Sequence, residues 1–269
     1  MKTARFFNIS LVGLLCFSAP AISSADSALD GGIYFASPEA ASCSFLDSRI
    51  FVGGFIQDMS CPGVGVVSGI GSTLNDAKSN AEQMGVLALE TGVGCNAGAY
   101  WDIEFKTFPG GFRTRFFCSG AAAGAVGGIG STATDLGHNL YQFAELFAAT
   151  GTQCAFSTAL PDLQAIPGGY YGTMFCDNGI RGTTLPGVGS ATGFGVAVRR
   201  FAEGFALYDH ACWFGFDAPN LTAIPGGWDF YVYCSSGDGA GVKISGFGSS
   251  MSDAGLNVAD LAFQRASGG

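Results

Sequence analysis

Two histidines, His138 and His210, are all the imidazole this chain holds. One falls inside a predicted helix and the other just after the next, so they do not occupy equivalent places. Neither lies in an H-E-x-x-H pattern, and no G-x-S-x-G nucleophile elbow occurs. A Ser-His-Asp site assembled in space would still have to use one of the two. Asp102 and Glu104 alternate along an expected strand and so share a face. A glycosidase pair needs its carboxyls held about 5–10 Å apart across a cleft, and the simpler reading of these two is a solvated strand face. Asp209 stands beside His210, and Asp238 sits in "SSGDGAG", without the oxygen-ligand spacing of a calcium loop. The cysteines are too far apart for C-x-x-C zinc chemistry. No catalytic residue, metal or cofactor is expected, and an enzyme is the less favoured reading.

Gly-x-Gly-Ser occurs four times, at Gly69, Gly128, Gly187 and Gly246. Between a strand and a helix start it would suit anion binding on free amides. It carries no lysine and continues into neither nucleotide-binding pattern. It reads as a tight turn followed by a helix cap.

Aromatic residues are the remaining lead. Phe55, Phe112, Tyr170 and Trp228 each follow a Gly-Gly pair, with Tyr171, Trp213, Tyr231, Tyr233, Tyr100 and Trp101 nearby in sequence. Trp228, Tyr170, Phe112, Tyr171 and Trp213 form the candidate binding set, as platforms for sugar faces or peptide segments. The competing reading packs these rings across hairpins.

The elements that would position them come from a repeat. "LQAIPGGYYGTMFC" (163–176) returns as "LTAIPGGWDFYVYC" (221–234). Beyond Cys16, eight cysteines alternate short gaps of 18, 23, 22 and 22 with long gaps of 34, 36 and 36. Independent features sharing one period predict four units, at 26–94, 95–153, 154–211 and 212–269. Pro-Gly-Gly is turn chemistry, and "WDFYVYC" is rich in strand formers. "GVKISG" is a further strand. Asp76, Asp135 and Asp253 fall in first helical turns, and Leu136, Leu140, Phe143 and Phe147 share a helical face. Asn80, Asn139 and Asn257 recur on the helices, with Val198 expected at that place in the third. The fold class is therefore α+β: four tandem β-β-β-α units.

A disulfide per unit would offset the small core of about 58 residues. The two cysteines of a unit sit at the open end of one hairpin. That favours Cys43–Cys61, Cys95–Cys118, Cys154–Cys176 and Cys212–Cys234. The alternative joins Cys61–Cys95, Cys118–Cys154 and Cys176–Cys212 around the helices and closes a ring with Cys43 and Cys234.

Lys2, Arg5, the apolar run from Ile9 to Phe17 and Ser23-Ser24-Ala25 read as a secretory signal of bacterial style, cut after Ala25 or after Ala21. Leu15 stands where a lipoprotein signal on Cys16 wants a small residue. Two of the 12 basic residues and none of the 21 acidic ones lie in the leader, so its removal takes the net charge from −9 to −11. Such an acid excess argues against nucleic acid as a partner. No later segment is apolar for the roughly 18 residues of a membrane helix, and no even series of alternating segments marks a membrane barrel. The expectation is a secreted or periplasmic protein, glycine-rich and acidic, that binds a glycan, peptide or envelope protein or serves a structural role. The alternative is a hydrolase of an envelope polymer.

Overall fold

The computed structural model describes residues 43–99, 104–156, 163–215, 220–235 and 241–268. The leader and Cys16 lie outside these residues, as do Tyr100, Trp101, Asp102 and Asp238. The fold is α+β: four antiparallel sheets, each followed in the chain by one helix, with four disulfides.

The first sheet is a meander of β1 (Ser44–Phe51), β2 (Gly54–Cys61) and β3 (Gly65–Gly71), and α1 (Leu74–Thr91) follows. The second holds β4 (Val93–Asn96), β5 (Lys106–Phe108), β6 (Gly111–Gly120) and β7 (Gly124–Gly130), then α2 (Ala133–Thr150). The third holds β8 (Gln153–Ala155), β9 (Leu163–Ile166), β10 (Gly169–Asp177) and β11 (Gly182–Gly189), then α3 (Ala191–Tyr208). The last holds β12 (Cys212–Trp213), β13 (Leu221–Ile224), β14 (Gly227–Ser235) and β15 (Gly241–Gly248), then α4 (Met251–Ala266).

The expected three strands per unit hold for the first sheet alone. In the others two short strands share one edge of the central strand, as β4 and β5 do along β6. The cause is length: the disulfide partners are 18 residues apart in the first unit and 23, 22 and 22 in the rest. The extra residues interrupt what is one continuous strand in β1. Glu104, expected on a strand, precedes β5 instead and pairs with Arg115 at 2.6 Å.

Each hairpin closes through a two-residue turn, Val52-Gly53 or Pro-Gly, with Gly53, Gly110, Gly168 and Gly226 at φ of 100°, 82°, 95° and 88°. Pro fixes the first turn residue and glycine takes the left-handed second one. At the other end of each hairpin the cysteines face one another across the strands, with Cα atoms 4.0–4.3 Å apart. The bridges are those within hairpins.

Thr73, Thr132 and Ser250 cap α1, α2 and α4, each with an Asp three residues on that closes a capping box. The third unit is one residue shorter here. Ser190, the last residue of Gly-Val-Gly-Ser, is itself the cap of α3. That shift places Ala197, not Val198, where the others carry Asn80, Asn139 and Asn257. Val198 is buried in the core beside it.

Strand alternation gives each sheet two faces. Gly69 and Gly71 leave no room for a side chain between β3 and α1, so this helix rides directly on the strand backbone. Residues of the same parity, such as Met59 and Cys61, face the helix. Ile56, Ser68 and Ile70 face away. In the first three sheets the half of that outward face around Ile56, Ile70, Ile129 and Val188 is also buried, because the next unit lies on it, while Val66, Phe117 and Phe175 toward the disulfide end stay exposed. The helices pack in chain order, α1 on α2, α2 on α3 and α3 on α4. One continuous apolar core therefore runs from Ile56 to Ala262.

Candidate functional site

The seams between units explain most of the aromatic and polar residues singled out above. At each seam the incoming helix carries glycine five residues after its cap: Gly137, Gly195 and Gly255. A Cβ on Gly137 would overlap the carbonyl oxygen of Ile70, one on Gly195 would stand 2.9 Å from Asn139 Oδ1, and one on Gly255 would stand 2.8 Å from Val188. The first helix has no preceding described unit, and the same place holds Lys78.

A hydroxyl two residues after the cap completes the seam. Thr134 Oγ1 donates to Asp76 Oδ2 (2.9 Å), accepts from Ser72 N–H (3.0 Å), and the Thr134 N–H donates to Ser72 Oγ (3.3 Å). Thr192 repeats these bonds with Asp135 and Ser131. Ser252 accepts from the Ser190 N–H at 3.0 Å. Asn80 donates to Ile70 O (2.6 Å), and Asn139 accepts from the Ile129 N–H (3.1 Å), so the buried amides satisfy strand backbone.

The five candidate residues do not gather on one surface. Phe112, Tyr170 and Trp228 lie on the helix side of successive sheets, each opposite the glycine that ends the neighbouring strand. Each ring also reaches back over the turn of the unit before it. A Cβ on Gly53 would meet Phe112 at 2.6 Å, one on Gly110 the Tyr170 hydroxyl at 3.3 Å, and one on Gly168 the Trp228 ring at 3.3 Å. Tyr170 is buried, while Phe112 and Trp228 are half-buried. Tyr171 points outward and stacks on Phe214 of the next unit at 4.2 Å, and Asn220 donates to its hydroxyl at 3.3 Å. Arg113, at the same place one unit earlier, lies over Phe156 at 5.1 Å. These rings join units. Trp228→Ala should accordingly lower stability by about 2 kcal/mol, short of the ~3–5 kcal/mol of a fully buried ring; urea denaturation followed by circular dichroism checks it.

Trp213 stands apart from the other four. It lies on the outward face of the last sheet, where its cross-strand partner is Tyr233. The four places that face α4 on β15 are Val242, Ile244, Gly246 and Gly248; Gly246 meets Val258 and Gly248 meets Ala254 and Asp253. Lys243, Ser245 and Phe247 therefore face outward, beside Tyr233, Tyr231 and Asp229 on β14. No described unit lies on this face. Phe247 is 50% exposed, whereas Ile70, Ile129 and Val188 at the same place are at most 1% exposed. Ser245 is exposed, and Ser68 is fully buried. Asn257 makes the same bond as Asn80, to Phe247 O at 2.7 Å, but in the open. Ser249, lacking an incoming threonine, donates to its own Asp253 at 2.6 Å. Lys243 Nζ lies 3.9 Å from the centre of the Tyr231 ring, and Tyr231 packs edge-on against Tyr233 at 6.0 Å. Aromatic faces with polar groups at their edges suit recognition of other molecules.

Two further polar groupings hold structure together. A cleft of about 530 Å³ between the first sheet and the chain after β4 is lined by Arg49, Asp58, Ser68 and Asn96. Asp58 accepts from Arg49 (3.0 Å) and Ser68 (2.6 Å), and Ser68 accepts from the Ala97 N–H (3.1 Å). One unit on, the pair is reversed in sign, as Arg115 with Glu104. Arg200 bridges α3 to α4 through Asp260 (2.9 Å) and lies over Phe263 at 3.7 Å.

His210 sits beside the last disulfide, its ligating nitrogen and both sulfurs within 4.8 Å of one another, with the sulfurs bonded to each other. Its Nε2 is buried without a hydrogen-bond partner. Burial, and then the charge of Arg265, hold its pKa below the ordinary histidine value. The unfolded chain thus takes up the proton first, and stability should fall as pH drops through about 6.5. His210→Thr, copying Thr152 of the preceding unit, should flatten that slope; denaturation midpoints at pH 7.5 and 5.5 measure it.

The seam signature was present in the sequence as Gly137, Gly195 and Gly255 with Thr134, Thr192 and Ser252. It emerges once the helices are aligned on their caps rather than on Gly-x-Gly-Ser. A scan against protein-family models finds no match, and a search of curated proteins likewise returns none.

Proposed function

We propose that the chain is an exported array of four tandem repeats, with bounds at 26–94, 95–153, 154–211 and 212–269, and that it serves a binding or structural role at the cell envelope or outside the cell. The observation that carries this reading is the outward sheet face, whose half around Ile70, Ile129 and Val188 is covered by a neighbour three times and, around Phe247, is covered by none of the described residues on the fourth unit. Arrays that bury each unit on the next present such terminal surfaces to partners. Four disulfides fit an oxidising compartment, and no helix among the described residues is long and apolar enough to cross a membrane. Secretion through a leader ending at Ala25 is part of the proposal, as is a glycan, peptide or envelope protein as the class of partner.

The polar clusters near the seams bond to one another and to strand backbone and link one unit to the next, which is why binding is preferred to hydrolysis of an envelope polymer. The test incubates the mature protein with envelope polysaccharides, peptidoglycan and envelope proteins, reading retention and product release in the same samples. Retention without turnover supports the proposal. Release of soluble sugar or peptide at a rate that follows protein concentration would replace it with the hydrolase reading.

A further inference from the structure

We infer that Asn178 modifies itself: the backbone nitrogen of Gly179 displaces the Asn178 side-chain amide, and the tip of the β10–β11 hairpin becomes aspartate or isoaspartate. Asn178-Gly179 is the one Asn-Gly pair in the chain. The inference stands apart from any partner of the last sheet.

The turn brings together what the reaction needs. Gly179 is exposed at φ 79°, with nothing within 4 Å of where a Cβ would stand. The nucleophile is thus unhindered, and it is next in the chain to the carbonyl carbon that it attacks. The Gly179 N–H donates to Asp177 Oδ1 at 2.8 Å, within reach for a carboxylate to take that proton. Asn178 Oδ1 accepts from the N–H of Ile180 and from that of Arg181, both at 3.0 Å. These donors point at the oxygen on which charge develops, as an oxyanion hole does. Asn80, Asn139 and Asn257 lie inside helices, whose backbone ladder holds the nitrogen that follows.

The atoms balance with water alone. The Gly179 nitrogen gives its proton to Asp177 and its electron pair to Asn178 Cγ. The Cγ–Nδ2 bond breaks, and Nδ2 leaves as ammonia with the proton that Asp177 took. A five-membered imide remains. Water opens it at Cγ to give aspartate, or at the Asn178 backbone carbonyl to give isoaspartate, whose chain runs through the side chain. Either product replaces an amide by a carboxylate beside Asp209. In the unmodified chain Asn178 Nδ2 lies 3.5 Å from Asp209 Oδ1, and Arg181 donates to the Asp209 carboxylate (2.7 Å) and backbone carbonyl (2.6 Å). Asp209 is the left-handed cap that ends α3. The modification therefore sets like charges against the clasp between this turn and that helix end.

The mature protein, kept at neutral pH in heavy-oxygen water and mapped by peptide mass over days to weeks, tests it. Asn178 should convert before any other asparagine, take up solvent oxygen, and yield both aspartate and isoaspartate. Asp177→Asn keeps the hydrogen-bond acceptor and removes the base, and it should slow conversion at least about tenfold. Asn178→Asp carries the charge from the outset. It should show faster hydrogen exchange at the Asp209 and His210 amides than fresh wild type. An Asn178 that stays intact overturns the inference, as does one lost equally fast without Asp177. Unchanged exchange in Asn178→Asp overturns its reach to α3.

Discussion

Leucine in place of Gly137 is expected to cost about 3 kcal/mol or more, while leucine in place of Lys78 should change stability by less than about 0.5 kcal/mol. Both positions lie five residues past a helix cap. At 137 the helix backbone presses on β3 and on Asn80, and a side chain would overlap the Ile70 carbonyl. The seam must open or the helix must shift, and overpacking of this kind costs ~1–3 kcal/mol even where some relaxation is possible. At 78 the side chain stands half-buried with no described unit beneath it, so the change is close to a surface substitution. Urea denaturation of the two variants checks the pair. Equal losses would mean that the glycine serves the helix and not the seam.

Reduction of the disulfides should have the largest effect of any treatment. Each bridge closes 18–23 residues, and a loop of this size is worth about 3 kcal/mol by restriction of the unfolded chain. Four such terms come to about 12 kcal/mol, comparable to the ~5–15 kcal/mol by which ordinary domains are stable, so the fully reduced chain is expected to be unfolded at neutral pH. Removing one bridge, as in Cys154→Ala/Cys176→Ala, should lower stability by about 2–4 kcal/mol. Tryptophan fluorescence against denaturant, with and without reductant, gives the result. An unchanged midpoint would mean that the continuous core across the seams suffices alone. Non-reducing peptide maps check the pairing directly, and a Cys118–Cys154 peptide would contradict it.

Much of the fold was legible because each of the four sheets and the helix after it carry their own local marks. Turn residues, strand formers, caps and cysteine gaps each mark an element locally, and their agreement on one spacing fixes element order. The split edge strand was less so, since the stretches between β4 and β5 and between their counterparts carry no turn chemistry as plain as Pro-Gly. The shift from Val198 to Ala197 had a similar origin: Gly-x-Gly-Ser aligns strands, and the third unit drops one residue before its helix. The role of the rings was hidden for a deeper reason. Phe112, Tyr170 and Trp228 are held by the turn of the unit before, a contact one whole repeat away in sequence that no local pattern reports. Their growth from Phe to Trp suggested a platform, yet Trp213 alone of the five belongs to the open face. That face is recognised only by comparison: Phe247 and Ser245 look like Ile70 and Ser68 in sequence and differ from them in what lies above.

If successive units cover one another and the last remains open, thiol labelling will read the difference. Ser68→Cys and Ser245→Cys place the same side chain at the same point of the first and last sheets. Each is treated with a maleimide under non-reducing conditions. The cysteine at 245 should react at the rate of a free surface thiol, while that at 68 should react only as fast as the protein opens. Equal rates at the two positions would contradict the stacking of units on which every other conclusion depends.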